Sequence, residues 1–510
     1  MRKLLLLLVI LSCNPLLAKK YYFTPGESES LKRILSEGKL LPGDEVILKD
    51  GVFKNLQKVL FQAKGTVQDS IKLKAEHPGK TIISGALDFK VYGEYLQIEG
   101  LCFLKAWALS FNMIDFQKET GKYASHCRFT NCVIDDCNDP NKSEQPATNG
   151  QQPASVSEYW LGLRGENNRV DHCYFANKRI GGLVLQVWLD KDNHLNNHQI
   201  DHNLFGTRKP YGGNGAEIIR IGHSWSSQLE SRTVVENNVF LHCDGESEII
   251  SIKSCHNVLR RNLFYESRGG LVCRHGHYNV LESNTFIGNN IKGTVGIRII
   301  NQGHTVYDNY MSKLNGFGLL VRIGVFEKPT ADTDIKKEPL TSYHRVENVD
   351  IAYNHFINCR VLEFGSGKGD KAPRNLRFAN NTIYNSTPNV RVFQPEEVMP
   401  GITFLDNTYY FENKEPIGLP GFMEGKIPDT LLALENEKVE KSINGIGPVW
   451  YAPNTAEITY IRNKALPARG DTPSDYKKSG WFVMNQPLFY YFMPFKDKYL
   501  LVSVFNVPVW

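Results

Sequence analysis

From about residue 125, apolar and polar positions along the chain fall into a repeating phrase. An apolar residue is followed by two variable residues, an asparagine, one variable residue, and then phenylalanine or another apolar residue. The phrase reads Ile200-Asp-His-Asn203-Leu-Phe205, Val235-Glu-Asn-Asn238-Val-Phe240, Leu259-Arg-Arg-Asn262-Leu-Phe264 and Leu281-Glu-Ser-Asn284-Thr-Phe286. It continues at Asn309, Asn354, Asn381 and Asn407. Two earlier copies are imperfect: Arg128-Phe-Thr-Asn131-Cys-Val133 opens on a charge, and Val170-Asp-His-Cys173-Tyr-Phe175 puts cysteine where asparagine is expected. From Asn238 to Asn309 the step is roughly 22–25 residues, the period of a solenoid coil.

Each coil carries short β-branched and apolar runs and no sustained 3.6-residue stripe, which excludes helical and leucine-rich repeats. The pattern predicts an all-β chain, a parallel β-helix. Its asparagine adopts the turn conformation and bonds to the coils above and below, and its phenylalanine stacks in the core. A solenoid must cover its open end. Residues 26–39 place Leu31, Ile34 and Leu35 at helical spacing behind Ser28 and Ser30 as caps, and read as a short N-terminal capping helix. Residues 328–342, rich in Lys, Asp and Thr, read as an inserted loop. The predicted β-helix spans 19–410. In the C-terminal segment 411–510, residues 429–441 look helical and the aromatic tail 481–510 caps the second end or packs along the flank.

Residues 1–18 read as an export leader: Arg2 and Lys3, then an apolar run from Leu4 to Leu11 that is too short to span a bilayer. Cleavage after Ala18 gives a periplasmic or secreted protein. Alternatively Ile10-Leu11-Ser12-Cys13 is similar to a lipobox, which gives a lipid anchor at Cys13. The formal charge of +5 becomes 5 − 2 = +3 without Arg2 and Lys3. That balance suits an acidic polymer, while the absence of basic runs argues against nucleic acid. Ten cysteines minus Cys13 leave an odd number, which argues against a disulfide framework and for small buried apolar residues.

Polar residues recur at similar phase. Asn214, Glu246, Glu248, Arg274, Arg298 and Arg322 lie eight to fourteen places past their turn asparagines, so they are expected in one column on one sheet. Alternation turns Arg274, Arg298 and Arg322 outward between apolar neighbours. Glu248 and Lys253 differ in parity, so a bend or bulge between them is required if both line one cleft.

Glu246 and Glu248 with the amide of Asn214 form a hard oxygen set suited to calcium. Lys253 beside a cation and Arg274 is a candidate general base, because positive neighbours and burial depress its pKa. Spacing alone favours plainer readings: exposed glutamates, an ion pair from Lys253 to Glu246 or Glu248, and a surface Arg274. His275, His277 and His304 lack a third ligand at useful spacing, and are expected at the surface or against substrate rather than on zinc. The set suits β-elimination from a uronate, in which a cation neutralises the carboxylate and a neutral lysine removes the C5 proton. Hydrolysis would instead require two facing carboxyl groups free of metal.

At these residues the chain resembles polysaccharide lyase family 6, the alginate lyases and chondroitinase B. The resembling segments are Asn214-Gly-Ala-Glu-Ile-Ile-Arg-Ile-Gly222, Glu246-Ser-Glu-Ile-Ile-Ser-Ile-Lys-Ser254, Arg274-His-Gly276 and Gly296-Ile-Arg-Ile299. The resemblance covers about residues 20–410. It implies a right-handed parallel β-helix, with Asn214, Glu246 and Glu248 as Ca2+ ligands, Lys253 as Brønsted base and Arg274 as Brønsted acid. It also implies Arg298 on the substrate carboxylate, to which His275 and Arg322 are added here as further expected substrate contacts. Gly296-Ile-Arg-Ile-Ile300 looks like the alginate branch. Dermatan sulfate is the alternative substrate, and a non-catalytic glycan-binding β-helix is the alternative from another class.

Overall fold

Short apolar runs cannot satisfy their own backbone as helices do, so their N–H and C=O groups must be met by neighbouring strands. The computed structural model does this with three 14-stranded sheets wound as a parallel β-helix. It describes residues 18–144, 158–328, 342–386, 393–394, 399–412, 416–426, 429–465, 490–495 and 498–503. Each coil gives one strand to each sheet. One coil comprises Val234–Glu236, Val239–Leu241 and Glu248–Lys253, and the next Val258–Arg260, Leu263–Tyr265 and Gly269–His275. Pairing is parallel and in register, with Phe205 over Phe240, Phe264 and Phe286. From Phe175 to Phe286 these rings stack at 4.4–5.1 Å between centroids, all buried, and form the expected core column.

The asparagines form a continuous ladder. The backbone N–H and the side-chain Nδ2 of Asn203 both donate to Oδ1 of Asn238, each at 3.0 Å. The same paired bonds run from Asn238 to Asn262, Asn284, Asn309, Asn354, Asn381 and Asn407. The expected bonding is therefore present, but the strained turn conformation belongs to the preceding residue. His202, Asn237, Arg261, Ser283, Asp308, Tyr353, Asn380 and Asp406 all have φ between +50° and +57°. In the first copy the pairing of Phe129 with Val170 puts Cys132, not Asn131, in line with Cys173. Asn131 is instead the turn residue, at φ +53°, and accepts a bond from the Trp450 indole. A second ladder the repeat phrase did not reveal closes another corner, where Thr233 donates to Asn257, Asn257 to Asn279 and Asn279 to Nδ1 of His304.

At the N-terminal end helix α1 (Ser28–Ser36) buries Leu31 and Leu35 against the first coils. Its entry is held not by Ser28 or Ser30 but by Thr24, whose N–H and hydroxyl both donate to Glu27 at 2.8 Å. The coils run past residue 410, to the strand Phe422–Glu424. Helices α2 (Asp429–Ser442) and α3 (Ala452–Ala465) then pack Val439, Ile443 and Ile461 on the outer face of one sheet, against Tyr174, Tyr265 and Tyr310. The chain divides at Ala465, and in the second unit Tyr490–Phe495 pairs antiparallel with Lys498–Ser503. The export leader, the lipobox and most of the inserted loop lie outside the described residues. The described cysteines are all buried and free. No described helix is long and apolar enough to cross a membrane.

Asn284 accepts from both nitrogens of Asn262 and donates Nδ2 to Leu259 O and Asn309 Oδ1, fully buried. Asn284→Ala strands these groups away from water and is expected to lower stability by about 1–3 kcal/mol. The shift of the urea midpoint measures it. A loss below about 0.5 kcal/mol, the range of ordinary surface changes, would show that the ladder does not hold the coils.

Candidate active site

The sheet holding Glu248–Lys253 carries Arg274, His275, Arg298 and Arg322 on its other strands, while Asn214 and Glu246 lie in the segments that lead into it. Its neighbours are Ile219–Gly222 below and Gly269–His275 above, followed by Thr294–Ile299 and Phe317–Arg322. Two register shifts interrupt the pairing, one between Glu248 and Ile250 and one between Ile252 and Lys253. Ile249, Ile250 and Ile252 are all buried. The bulges therefore place Glu248 and Lys253 together in one cleft although their sequence parity differs.

The expected single column is two rows. Arg220, Ser251, Val272, Arg298 and Leu320 are level with one another. Gly222, Lys253 and His275 are level in the row beside it, with Arg274 in the second bulge. Arg322 is two residues out of line with Arg298, because Leu320 holds that position.

The carboxylates number three. Glu217, Glu246 and Glu248 bring ligand oxygens within 4.8 Å of one another. Glu217 and Glu248 are buried, and Oε2 of Glu217 has no hydrogen-bond partner among the described residues. Burial and the charges of Glu217 and Glu248 push the Glu246 carboxyl up to about 8. Clustered buried acids with an unsatisfied oxygen fit a hard divalent cation, which would relieve their repulsion. Asn214 lies exposed in the loop leading to Glu217, and the nearby Ala216 N–H donates to Glu246 at 3.4 Å. Beneath them the fully buried Arg208 donates to the carbonyls of Glu217, Ile180 and Gly182, fixing the backbone that presents Glu217.

Lys253 lies partly buried beside this trio, its Nζ 3.8 Å from Glu217 rather than paired to Glu246 or Glu248. Its ammonium is held below the ordinary lysine range by burial, then by Arg220 and Arg274, against the opposing charges of Glu217 and Glu248. Glu248 accepts from Ser251 Oγ at 2.5 Å and from Arg298, with Arg274 3.6 Å away. Arg274 and Arg322 lie over Tyr343, at 4.6 and 5.2 Å from the ring centre. Arg220 donates to Gln186 and to the Tyr159 hydroxyl. A depressed lysine, a guanidinium wall and an acidic cation site thus meet in one groove, an arrangement able to bind a carboxylate and move the proton beside it.

Of the two places expected for three histidines, the surface is excluded. His275, His277 and His304 are 2%, 1% and 1% exposed, so none is a surface residue. His304 belongs to the second ladder, and Nδ1 of His277 accepts from the Gln302 N–H. His275 sits beside Lys253 with Nδ1 at 3.1 Å from Ser342 O, its ring pushed down to about 3 by burial and the charges of Arg274 and Lys253. Sequence reasoning missed Glu217, Arg220 and Tyr343. Glu217 and Arg220 were legible as further polar residues of the segment beginning at Asn214. Tyr343 follows the inserted loop, and no repeat signal points to it.

The family model described as Chondroitinase B matches residues 27–446. A mannuronic acid specific polysaccharide family 6 lyase enzyme from human gut microbiota is 60% identical, with a TM-score of 0.83, covering 87% of this chain and 99% of that one. The PL6 family alginate lyase AlyGC is 33% identical, with a TM-score of 0.71 over 80% of this chain and 53% of its own. The PL6 family polysaccharide lyase Pedsa3628 from Pseudopedobacter saltans is 25% identical, with a TM-score of 0.64 over 80% and 97%. No curated protein matches the chain. With its fold, its groove and a family match over most of its length, the chain belongs to polysaccharide lyase family 6.

Proposed function

We propose that the chain is an alginate lyase that cleaves mannuronate-rich alginate by β-elimination with the help of calcium. The observation that carries this reading is Lys253, partly buried and depressed, within one groove of three clustered glutamates and Arg274. The preference for mannuronate is supported by the 60% identical relative, which is mannuronic acid specific. The leader-like residues 1–18 support export, to where such a polymer is met.

Glu217, Glu246, Glu248 and Asn214 would hold the calcium. When bound, it supplies positive charge that neutralises the substrate carboxylate and stabilises the charge that develops next to C5. Arg298 and Arg322 orient that carboxylate, and Tyr343 fixes the plane of the Arg274 guanidinium. Neutral Lys253 Nζ takes the C5 proton. The electron pair left at C5 forms the C4–C5 double bond as the C4–O bond breaks. Arg274, directly or through a water it orients, returns a proton to the departing oxygen. The products are a new hydroxyl end and a 4,5-unsaturated uronate, conjugated with its carboxylate and absorbing in the ultraviolet.

Lys253→Ala and Arg274→Ala are each expected to lower kcat at least ~100-fold on mannuronate-rich alginate, read as ultraviolet absorbance, with circular dichroism unchanged. Near-normal turnover of either variant would remove that residue from the chemistry. Dermatan sulfate is the control: elimination there and none on alginate would transfer the activity to the other branch.

The raised Glu246 carboxyl fixes a sign for pH. Without metal, the folded protein binds this proton up to about pH 8, whereas the unfolded chain releases it near the ordinary glutamate value. Folded stability from this group is therefore lost as pH rises from about 4.5 toward 8. Calcium should abolish that loss and release about one proton near pH 7. Calorimetry in buffers of different ionisation enthalpy reads the release. No proton release would mean that Glu246 does not ligate calcium.

A further inference from the structure

The row of the sheet that carries Lys253 continues toward the N-terminal end. Leu163, Val187, Ile221 and Ile252 are level in successive coils, so the positions after them, Arg164, Trp188, Gly222 and Lys253, form the next row outward. Gly222 has φ +79°, and a Cβ there would meet Lys253 O at 2.5 Å, so no side chain stands between Trp188 and Lys253. With strands about 4.8 Å apart, Trp188 is two steps, roughly 10 Å, from the Lys253 strand.

Beyond that gap the groove is aromatic. Phe111 packs on Tyr159 and Trp188 at 4.3 and 5.7 Å, Trp188 on His223 at 5.7 Å, and His223 on Trp225 at 5.4 Å. The chain of rings is contiguous with the proposed catalytic groups, since His223 lies within electrostatic range of Arg220, Lys253 and Arg164. Arg164 is held 4.5 Å over the Trp188 ring and 3.1 Å from Asp115. The ledge ends in open solvent: Phe111 is 44% and Trp225 73% exposed. The ledge thus joins a solvent-facing indole, Trp225, through His223 to Trp188, over which the Arg164 guanidinium is held.

We propose that Trp225 and Trp188, with Arg164, form a distal subsite that binds a further uronate ring of the same polysaccharide on the N-terminal side of the bond broken at Lys253. The inference rests on the polyuronate reading above. A pyranose offers a face of C–H groups that stacks on an indole, and its carboxylate meets a guanidinium already oriented by ring and acid. Neither contact involves the atoms that react, so this binding energy holds the polymer while the reacting ring is positioned. The gap at Gly222 lets the polymer pass from one site to the other without a side chain in its path.

The test uses the full chain carrying Lys253→Ala, so that bound oligomers are not cut, with calcium present. Affinity for saturated mannuronate oligomers from trimer to octamer is measured by calorimetry and by tryptophan fluorescence. The octamer is expected to bind more tightly than the trimer and to quench the emission. Adding Trp225→Ala should weaken the octamer about tenfold, equivalent to about 1.4 kcal/mol, remove much of the quenching and narrow the difference between the two lengths. In the otherwise natural chain, Trp225→Ala should lower kcat/KM on polymer more than on trimer, mainly through KM. Equal loss at both lengths, or none, overturns the distal subsite while leaving the lyase reading in place. A Lys253→Ala chain that binds no mannuronate oligomer of any length overturns the polyuronate reading and the subsite with it.

Discussion

Coil-to-coil register is the constraint on which this molecule depends, and the buried asparagine ladder sets it. Each amide accepts two bonds from the coil on one side and donates to the next, so a coil shifted by one residue would leave several buried polar groups without partners. Phenylalanine stacking alone would not impose that precision, because apolar contacts tolerate sliding. With the ladder in place, residues far apart in sequence become level neighbours, and a groove can be assembled from single side chains of successive coils. The turn residue before each asparagine bears the backbone strain, which leaves the ladder residue free to bond in both directions.

That register makes the electrostatics of the groove possible and also costly. Glu217, Glu246 and Glu248 are brought close enough to repel, and burial removes the water that would screen them. Arg274 and Arg298 offset Glu248, and Lys253 lies near Glu217, so the groove is held by imperfect ion pairs around Glu246, whose carboxyl is pushed up. The burial that depresses Lys253 raises Glu246. One dry pocket thus shifts a base toward its neutral form and an acid toward its protonated form, and a cation ligated by Glu246 would have to displace that proton.

The fold was legible in the sequence because its strongest signal is periodic and buried. Asn238, Asn262, Asn284 and Asn309 recur at the spacing of a coil, the first three followed by phenylalanine and the last by Met311. Where the composition drifts, the reading slipped: Arg128 and Asn131 suggested a copy displaced by one residue, since Cys132 carries the ladder position without an amide. The site was legible only in part. Lys253, Arg274, Glu246 and Glu248 stood in one short stretch, and the parity conflict between Glu248 and Lys253 pointed to a bulge that the pairing contains. Equal phase did not translate into one column, because each bulge adds a residue that counting from the turn cannot see. Tyr343 and the buried histidines depend on loop closure and corner bonding, which have no period.

The same reasoning explains why the outer face can carry so many charges without unfolding the solenoid. The core column and the ladders lie inside the coils and at their corners, while Arg164, Arg220, Arg274, Arg298 and Arg322 stand on a sheet whose backbone bonds are already satisfied by neighbouring coils. Outward positions can therefore change without disturbing the register that aligns them. Arginine suits such positions better than lysine, since its planar group can stack on Trp188 or Tyr343 and still offer N–H groups to a carboxylate. Lysine stands instead at Lys253, where burial and the neighbouring guanidinium groups oppose its charge.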